Sequence, residues 1–150
     1  MTNQIQNSSF ENDLYGQSSD IQLWSSNGNP ESCIKYEYGN AFTGDYKATF
    51  WSDKAYICSM YKTVTGLPNG TYQLSVEAMS GGGQKKLQLY AKNYGGKEMT
   101  SAIGKSDIGW NRFTLNNIKV TNGQCEIGIY CVGNAGNWSN FDSISFVRVD

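Results

Sequence analysis

The chain has 150 residues, with 12 basic and 13 acidic side chains and a formal net charge of -1. This near-neutral charge argues against nucleic acid and an anionic membrane as partners, because both attract a basic face. The length favours one domain with its own core, and a composition with 17 glycines and 10 tyrosines is typical of turn-rich, all-β domains.

In the first half of the chain, short stretches with apolar residues at every second position predict strands. These predicted strands are Ile5–Phe10, Ile21–Trp24, Cys33–Tyr38, Tyr46–Trp51 and Tyr56–Val64. The segments predicted as loops, because they are polar or rich in turn residues, are Asn12–Ser19, Ser25–Pro30 and Gly39–Asp45. The alternation within its strand places Trp51 on the face opposite the apolar set.

In the second half, Leu67–Gly70 and Asn122-Gly123 predict hairpin turns, because asparagine and glycine accept positive φ. The strands predicted around them are Thr71–Met79, Lys86–Asn93, Trp110–Leu115, Ile118–Val120, Cys125–Cys131 and Ser143–Val149. Ser80–Gln84 and Tyr94–Gly96 are predicted loops, and Lys97–Gly109 has only a weak pattern. Since no stretch keeps helical periodicity, we predict an all-β fold, a jelly-roll β-sandwich of two antiparallel sheets.

The start of the chain, Met1-Thr2-Asn3-Gln4, is polar and lacks the apolar stretch of a signal peptide. No apolar run elsewhere is long enough to span a bilayer. We therefore expect Met1 to be an added start and residues 1–150 to form a single module cut from a larger protein.

The four cysteines show no metal-binding spacing, and the chain has no histidine. Cys125 and Cys131 lie on one predicted strand about 20 Å apart. A disulfide needs its Cα atoms within about 7 Å, so these two do not pair with each other. Cys33 and Cys58 could form a disulfide, and free buried thiols are an equal alternative.

The strongest functional signal lies in Gly133–Asp142, which holds three asparagines, two glycines and Trp138. An indole buries the C–H face of a pyranose with a favourable geometric term of about 1 kcal/mol. Amides both donate and accept hydrogen bonds, as sugar hydroxyls do. The alternative for each asparagine is ordinary turn chemistry, and for each aromatic ring it is packing. The cluster beside Trp138 favours a sugar site.

Carboxylates suggest a metal site more readily than a catalytic one. Glu11 and Asp142 would meet if the first and last strands are neighbours, and two carboxylates there suit calcium. Separate, solvated carboxylates are the alternative. A Ser/His/Asp set is excluded because histidine is absent. The glutamates available for glycoside hydrolysis share no motif, although the fold could still assemble a pair; they are Glu31, Glu37, Glu77 and Glu126.

Several motifs together resemble carbohydrate-binding module family 61, which is found appended to bacterial endo-β-1,4-galactanases. The more specific ones are Gly82-Gly83-Gln84, Lys92-Asn93-Tyr94-Gly95-Gly96 and Asn134-Ala135-Gly136-Asn137-Trp138. Asn7-x-x-Phe10-Glu11 and the hairpin Thr63–Tyr72 are more generic. The likeness runs from about Phe10 to the C-terminus.

This resemblance implies a non-catalytic jelly roll that binds β-1,4-galactan, works outside the bacterial cell and is a monomer tethered to a glycoside hydrolase. The carbohydrate-binding residues that it implies are Trp51, Gln84, Lys92, Asn93, Tyr94, Asn134, Asn137 and Trp138. It also implies a structural calcium held by the Glu11 and Asp142 side chains, with carbonyls near Ser9, Thr43 and Tyr46. Family members often carry paired aspartates where this chain has Phe141-Asp142, so a single carboxylate remains there.

Two alternatives remain open for the function. A module on the same scaffold could bind another plant polysaccharide, such as xylan or a β-glucan. A small jelly-roll lyase or hydrolase is the alternative from the enzyme class.

Overall fold

The computed structural model describes residues 3–5, 10 and 24–150, without the side chain of Asp107. It is a sandwich of two five-stranded antiparallel sheets, which confirms the predicted all-β fold. Its strands are β1 (Ser25–Asn29), β2 (Ile34–Tyr38), β3 (Tyr46–Trp51), β4 (Tyr56–Val64), β5 (Gly70–Ser80), β6 (Lys86–Lys92), β7 (Met99–Ala102), β8 (Ser106–Val120), β9 (Cys125–Gly133) and β10 (Trp138–Arg148). A single 3-10 turn, Glu31–Cys33, stands between β1 and β2.

The chain crosses repeatedly from one sheet to the other, and each strand belongs to one sheet. The first sheet has the order β1-β4-β9-β6-β7, and the second has the order β2-β3-β10-β5-β8. Each sheet has one face toward the core and one face open, because side chains alternate along a strand. The open faces therefore lie on opposite sides of the sandwich. No helix among the described residues is long and apolar enough to span a membrane.

Aromatic and aliphatic side chains from both sheets fill the core. Phe50 and Phe141 meet edge to face with ring centroids 4.8 Å apart. Tyr72 and Phe146 stack at the same distance. The largest fully buried side chains are Tyr36, Tyr72, Phe10, Phe50, Phe141, Phe146, Ile34, Met60, Leu74, Leu89 and Ile118.

Two segments that were not predicted as strands form edge strands of the first sheet. Ser25–Asn29 is β1 and pairs with β4, although Ser25–Pro30 was predicted as a turn-rich break. Met99–Ala102 is β7 and pairs with β6, within the weakly patterned Lys97–Gly109. Both strands are short and largely exposed. Their backbone pairing stabilises them, so they carry little of the apolar alternation that sequence analysis detects.

Two strands in the last third are longer than predicted. Trp138 was predicted in a loop, yet it is the first residue of β10, which continues across the predicted start at Ser143. A register shift between Asp142 and Ser145, with a positive φ at Ser143, interrupts the alternation there. Asn117 also has a positive φ, beside a register shift between β8 and β5. The sequence predicted two strands on either side of this point, but β8 is one strand.

The N-terminal end of the chain lies beside the last strand. The amide of Asn3 donates to the Ile144 carbonyl at 3.0 Å, and the backbone N–H of Gln4 donates to the Phe146 carbonyl at 2.9 Å. Of the predicted strands Ile5–Phe10 and Ile21–Trp24, the described residues are Ile5, Phe10 and Trp24, and all three are buried. The rest of both strands lies outside the described residues.

Candidate functional site

Two tryptophans stand side by side on the open face of the second sheet. Trp138 at the start of β10 is the direct cross-strand partner of Trp51 at the end of β3. Side chains in such antiparallel pairs lie about 5 Å apart at Cβ, so the two rings are neighbours. Trp51 is 39% exposed and Trp138 is partly exposed. The pair therefore offers an apolar aromatic surface to solvent.

The tryptophans form one end of a shallow groove of about 280 Å³, which we call the tryptophan groove. Its lining residues are Lys35, Glu37, Lys47, Thr49, Trp51, Trp138 and Asn140. The Thr49 hydroxyl lies 2.5 Å from Glu37 Oε1 and 2.9 Å from Asn140 Oδ1. The Lys35 Nζ lies 5.4 Å from the centroid of the Trp51 ring. An aromatic end thus continues into a band of hydrogen-bonding side chains.

The position of Trp138 depends on a glycine beneath it. A Cβ built on Gly81 would lie 2.9 Å from Cε2 of the Trp138 indole, closer than side chains tolerate. The backbone N–H of Gly81 also donates to the Trp138 carbonyl at 3.2 Å. The Nε1 edge of the indole therefore packs against the backbone of Gly81.

The predicted amide residues of the two rim loops lie together. Asn134 Nδ2 donates to the Gly83 carbonyl at 2.8 Å, and Asn137 Nδ2 donates to the Gly82 carbonyl at 3.3 Å. Asn137 Oδ1 in turn accepts the backbone N–H of Asn134 at 2.7 Å. These bonds join segment 134–137 to segment 80–85. The turn chemistry considered for single asparagines thus operates here across two loops.

Gln84 and Tyr56 stabilise the same rim by hydrogen bonds to its backbone carbonyls. Gln84 Nε2 donates to the Trp138 carbonyl at 3.1 Å, which ties the side chain to the start of β10. The hydroxyl of Tyr56, a buried residue of the first sheet, donates to the Asn137 carbonyl at 2.9 Å. Burial raises the pKa of Tyr56, so its hydroxyl stays protonated and remains a donor.

Three predicted sugar-binding residues lie elsewhere. Lys92, at the far end of β6, pairs with Glu126, whereas Lys86 at the near end pairs with Val132. The two lysines are six positions apart along the strand, which corresponds to about 20 Å. Lys92 and its neighbours therefore belong to the opposite end of the first sheet.

The side chains of Asn93 and Tyr94, which follow Lys92, do not line the tryptophan groove. Tyr94 is 5% exposed, packs in the core and donates its hydroxyl to the Lys97 carbonyl. The Asn93 backbone has a positive φ, and its carbonyl accepts the amide of Asn122 at 3.2 Å. We assign Tyr94 to core packing and Asn93 to the turn.

Apart from the two tryptophans, the groove residues were not predicted to bind sugar; they are Lys35, Glu37, Lys47, Thr49 and Asn140. Asn140 lies two residues after Trp138 on β10, so it shares the same face, but the sequence placed this segment in a loop. Extending the strand alternation of side chains back to Trp138 would have placed Asn140 on the same face. Lys35 reaches the groove only because β2 lies beside β3.

Asp142 of the predicted metal site is a completely buried carboxylate. Its Oδ2 accepts the backbone N–H groups of Phe42 and Thr43, both at 2.9 Å, and its Oδ1 accepts that of Ser143 at 2.7 Å. Among the described residues, no cluster of three or more acidic, cysteine or histidine side chains could hold a metal ion. Of the other predicted metal ligands, Thr43 and Tyr46 are described, whereas Ser9 and Glu11 lie outside the described residues.

No protein-family model matches the chain. In structure, the chain is similar to TmCBM61, a module whose crystal structure contains β-1,4-galactotriose. The two share 25% identity and a TM-score of 0.87, over 99% of this chain and 100% of the other. The resemblance to family 61 carbohydrate-binding modules is thereby confirmed.

More distant structures share the fold. The CBM22-1 xylan-binding domain of Paenibacillus barcinonensis Xyn10C has 13% identity and a TM-score of 0.62, over 95% of this chain and 92% of that one. The enzymatically active domain of bacteriophage CBA120 tailspike protein 4 has 13% identity and a TM-score of 0.75. The match covers 98% of this chain and 21% of the tailspike chain.

One relative in sequence is an enzyme. A 1,6-alpha-glucosyltransferase of Sporosarcina globispora is 27% identical over 110 residues, which are 71% of this chain. The chain spans only 8% of that enzyme's length. The matched region is therefore a small part of a much longer protein.

Proposed function

We propose that the chain is a non-catalytic module that binds β-1,4-galactan in the tryptophan groove. The observation that carries this proposal is the cross-strand pair of Trp51 and Trp138 on an open sheet face. Its support from known proteins is the similarity to a module crystallised with β-1,4-galactotriose. Carbohydrate-binding modules recur among the similar structures, which supports a sugar as the ligand.

In this mechanism, one or both indoles stack on the C–H face of a galactose ring, which contributes about 1 kcal/mol per stacked pair beyond area burial. Lys35, Glu37 and Asn140 line the groove and hydrogen-bond the hydroxyl groups. The rim amides of Gln84, Asn134 and Asn137 join them. Each carboxamide has two donor hydrogens and an acceptor oxygen with two lone pairs, so capacity remains beyond its bonds to the protein.

The groove suits reversible binding and not chemistry on the sugar. It is shallow, so we expect a Kd in the micromolar to sub-millimolar range, about -8 to -5 kcal/mol. Hydrolysis of a glycosidic bond needs two carboxylates across it, and Glu37 is the one carboxylate among the described groove residues. The Glu37 oxygen already accepts the Thr49 hydroxyl.

We infer that the module works outside the bacterial cell as a monomer joined to a glycoside hydrolase. The match to a small part of a glucosyltransferase supports a place within a longer enzyme. A tethered module raises the local concentration of the catalytic domain on the polysaccharide, which increases the rate without any new contact to the scissile bond.

We also propose a structural calcium under the loop that precedes β3. Asp142 fits it as a buried oxygen ligand, and the other ligands would be Glu11 with carbonyls of Ser9, Thr43 and Tyr46. Calcium takes six to eight oxygen ligands, so the two carboxylates together with carbonyls and water are chemically suitable. The ion would fix the loop and the N-terminal segment against β10, away from the sugar.

A second candidate ligand is an α-1,6-linked glucan, and the observation that favours it is the glucosyltransferase relative. Native gels containing galactan, xylan, mixed-linkage β-glucan or dextran separate the candidates. Retardation by galactan is the expected result, and retardation by another polysaccharide alone would overturn the galactan assignment. Long incubation of the pure protein with galactan should release no oligosaccharides. Products that disappear on a Glu→Gln substitution would establish an enzyme instead.

A further inference from the structure

The open face of the first sheet carries a second and larger groove, with a volume of about 540 Å³. We call it the tyrosine groove. Its lining residues are Asn27, Ser59, Tyr61, Lys86, Gln88, Tyr90, Lys92, Glu98, Glu126 and Tyr130. It lies on the side of the sandwich opposite the tryptophan groove, because the two grooves occupy the open faces of different sheets.

The register places hydrogen-bonding groups in a line across four strands. Asn27 on β1 is opposite Ser59 on β4, which is opposite Tyr130 on β9, which is opposite Gln88 on β6. Three inter-strand spacings of about 4.8 Å make this line roughly 14 Å long. Amide, hydroxyl and phenol groups thus repeat across the sheet, perpendicular to the strands.

The next line across the sheet forms an aromatic floor. Tyr61 on β4 and Tyr90 on β6 are both paired with Gly128 on β9. A Cβ on Gly128 would lie 2.7 Å from Cε2 of Tyr90, so the ring lies over the glycine. Tyr90 is 7% exposed and donates its hydroxyl to Glu126 Oε2 at 2.7 Å. The glycine and this hydrogen bond hold the ring flat against the sheet.

The charges of the tyrosine groove balance. Lys92 Nζ lies 3.6 Å from Glu126 Oε2, and the groove also carries Lys86 and Glu98. Two lysines and two glutamates leave no net charge to attract an anionic polymer. The lining therefore suits a neutral ligand with many hydroxyl groups and apolar C–H faces.

We propose that the tyrosine groove is a second carbohydrate site that binds an interior stretch of a neutral polysaccharide lying across β1, β4, β9 and β6. The inference rests on the proposed function, since it assigns the second surface the same class of ligand. Tyr61 and Tyr130 provide the ring contacts, while Asn27, Ser59 and Gln88 hydrogen-bond the hydroxyls. The site acts independently of Trp51 and Trp138.

The test compares variants that lack one or both grooves with a control variant outside them. A Trp51→Ala/Trp138→Ala variant leaves the tyrosine groove intact, and adding Gln88→Ala and Tyr130→Ala removes it. Ile57→Ala changes an exposed residue of the same sheet face outside the groove and serves as the control. Isothermal titration with β-1,4-galactohexaose, β-1,4-xylohexaose and isomaltohexaose gives affinity and stoichiometry, and circular dichroism confirms folding.

The double tryptophan variant should still bind at least one hexasaccharide, and the added substitutions should weaken that binding at least tenfold, whereas Ile57→Ala should not. If Tyr130→Ala impairs folding, Gln88→Ala alone is added to the double tryptophan variant instead. In the wild-type protein, NMR shifts at Gly128 and Tyr130 should accompany saturation. If the wild type binds galactohexaose while the tryptophan variant binds no hexasaccharide, the second site is refuted and the proposed function stands. If no variant and no wild-type protein binds any glycan, both fail.

Discussion

Trp51 and Trp138 are direct cross-strand partners, so the two indoles are fixed side by side by backbone hydrogen bonding. Each residue lies at an end of its strand, where the sheet gives way to the rim loops. A ligand that stacks on one ring therefore meets the other ring without any movement of the protein.

Removing one indole should weaken sugar binding without unfolding the protein. We expect Trp138→Ala to raise the Kd for β-1,4-galactotriose about tenfold, which corresponds to about 1.4 kcal/mol. Isothermal titration measures the change. Trp110→Ala is the matched control, because Trp110 packs against Phe42 with centroids 6.0 Å apart and does not line the tryptophan groove. An unchanged affinity in Trp138→Ala would remove the main evidence for this groove as the site.

A methyl group at Gly81 should displace the indole above it. The Cβ of Gly81→Ala would collide with Trp138, and overpacking of this kind costs about 1–3 kcal/mol. We expect a lower melting temperature, an altered tryptophan emission spectrum and weaker galactotriose binding. Gly104→Ala is the control, because no atom lies within 4 Å of its Cβ position. Equal behaviour of the two variants would contradict the packing described for Trp138.

Asp142 should stabilise the loop before β3 through its three backbone hydrogen bonds. Replacing it with alanine leaves the backbone N–H groups of Phe42, Thr43 and Ser143 without their acceptor. We expect the free energy of unfolding to fall by about 3 kcal/mol in urea denaturation. Asp142→Asn keeps the size and one acceptor oxygen, and should lose less. A variant as stable as the wild type would show that these bonds contribute little.

Calcium removal tests the proposed metal site separately from sugar binding. We expect EDTA to lower the melting temperature and excess calcium to restore it, because a ligand of the folded state alone stabilises that state. Magnesium at the same concentration should restore less, since it demands a tighter octahedral geometry. Identical melting in EDTA and in calcium would refute the metal while leaving the groove assignment untouched.

The cysteines should be unreactive in the folded protein. All four are buried and free, so the reagent has little access to them in the folded protein. Burial also raises the pKa of Cys125 from 9.0 to about 12, whereas hydrogen bonding to Cys58 lowers the pKa of Cys33 and of Cys131. Because burial blocks access to the sulfur atoms, iodoacetamide at pH 8 should label folded protein slowly and label four thiols after denaturation. The folded pKa of Cys125 lies above the unfolded one, so this residue's stabilising contribution is complete below pH 9 and is lost toward pH 12. Rapid labelling of folded protein would contradict this environment.

The core strands could be predicted because burial on one face imposes alternation. The outward and inward positions of β6 follow the sequence pattern, with Leu87 and Leu89 buried. The edge strands β1 and β7 could not, since partner strands from elsewhere in the chain stabilise them. A local pattern contains no information about such partners.

The candidate site was predictable only in part for a related reason. Trp138 and its amide neighbours stand out in composition, and the structure brings them together with Gln84. The pairing of Trp138 with Trp51 depends on which strand lies beside β10, which the local sequence does not specify. The motif that contains Lys92 and Tyr94 is conspicuous in sequence, yet one residue lines the tyrosine groove and the other packs in the core.

The hydrogen bonds from Asn134 to Gly83 and from Asn137 to Gly82 form within the protein itself, so the rim is ordered before any sugar arrives. A ligand then loses little affinity to freezing the loops, because that entropy is already lost on folding. Because these bonds join segments 80–85 and 134–137, a change in the sequence of one segment requires a matching change in the other. Transplanting a new specificity by exchanging one loop would break its bonds to the other, so engineered modules should receive both segments together.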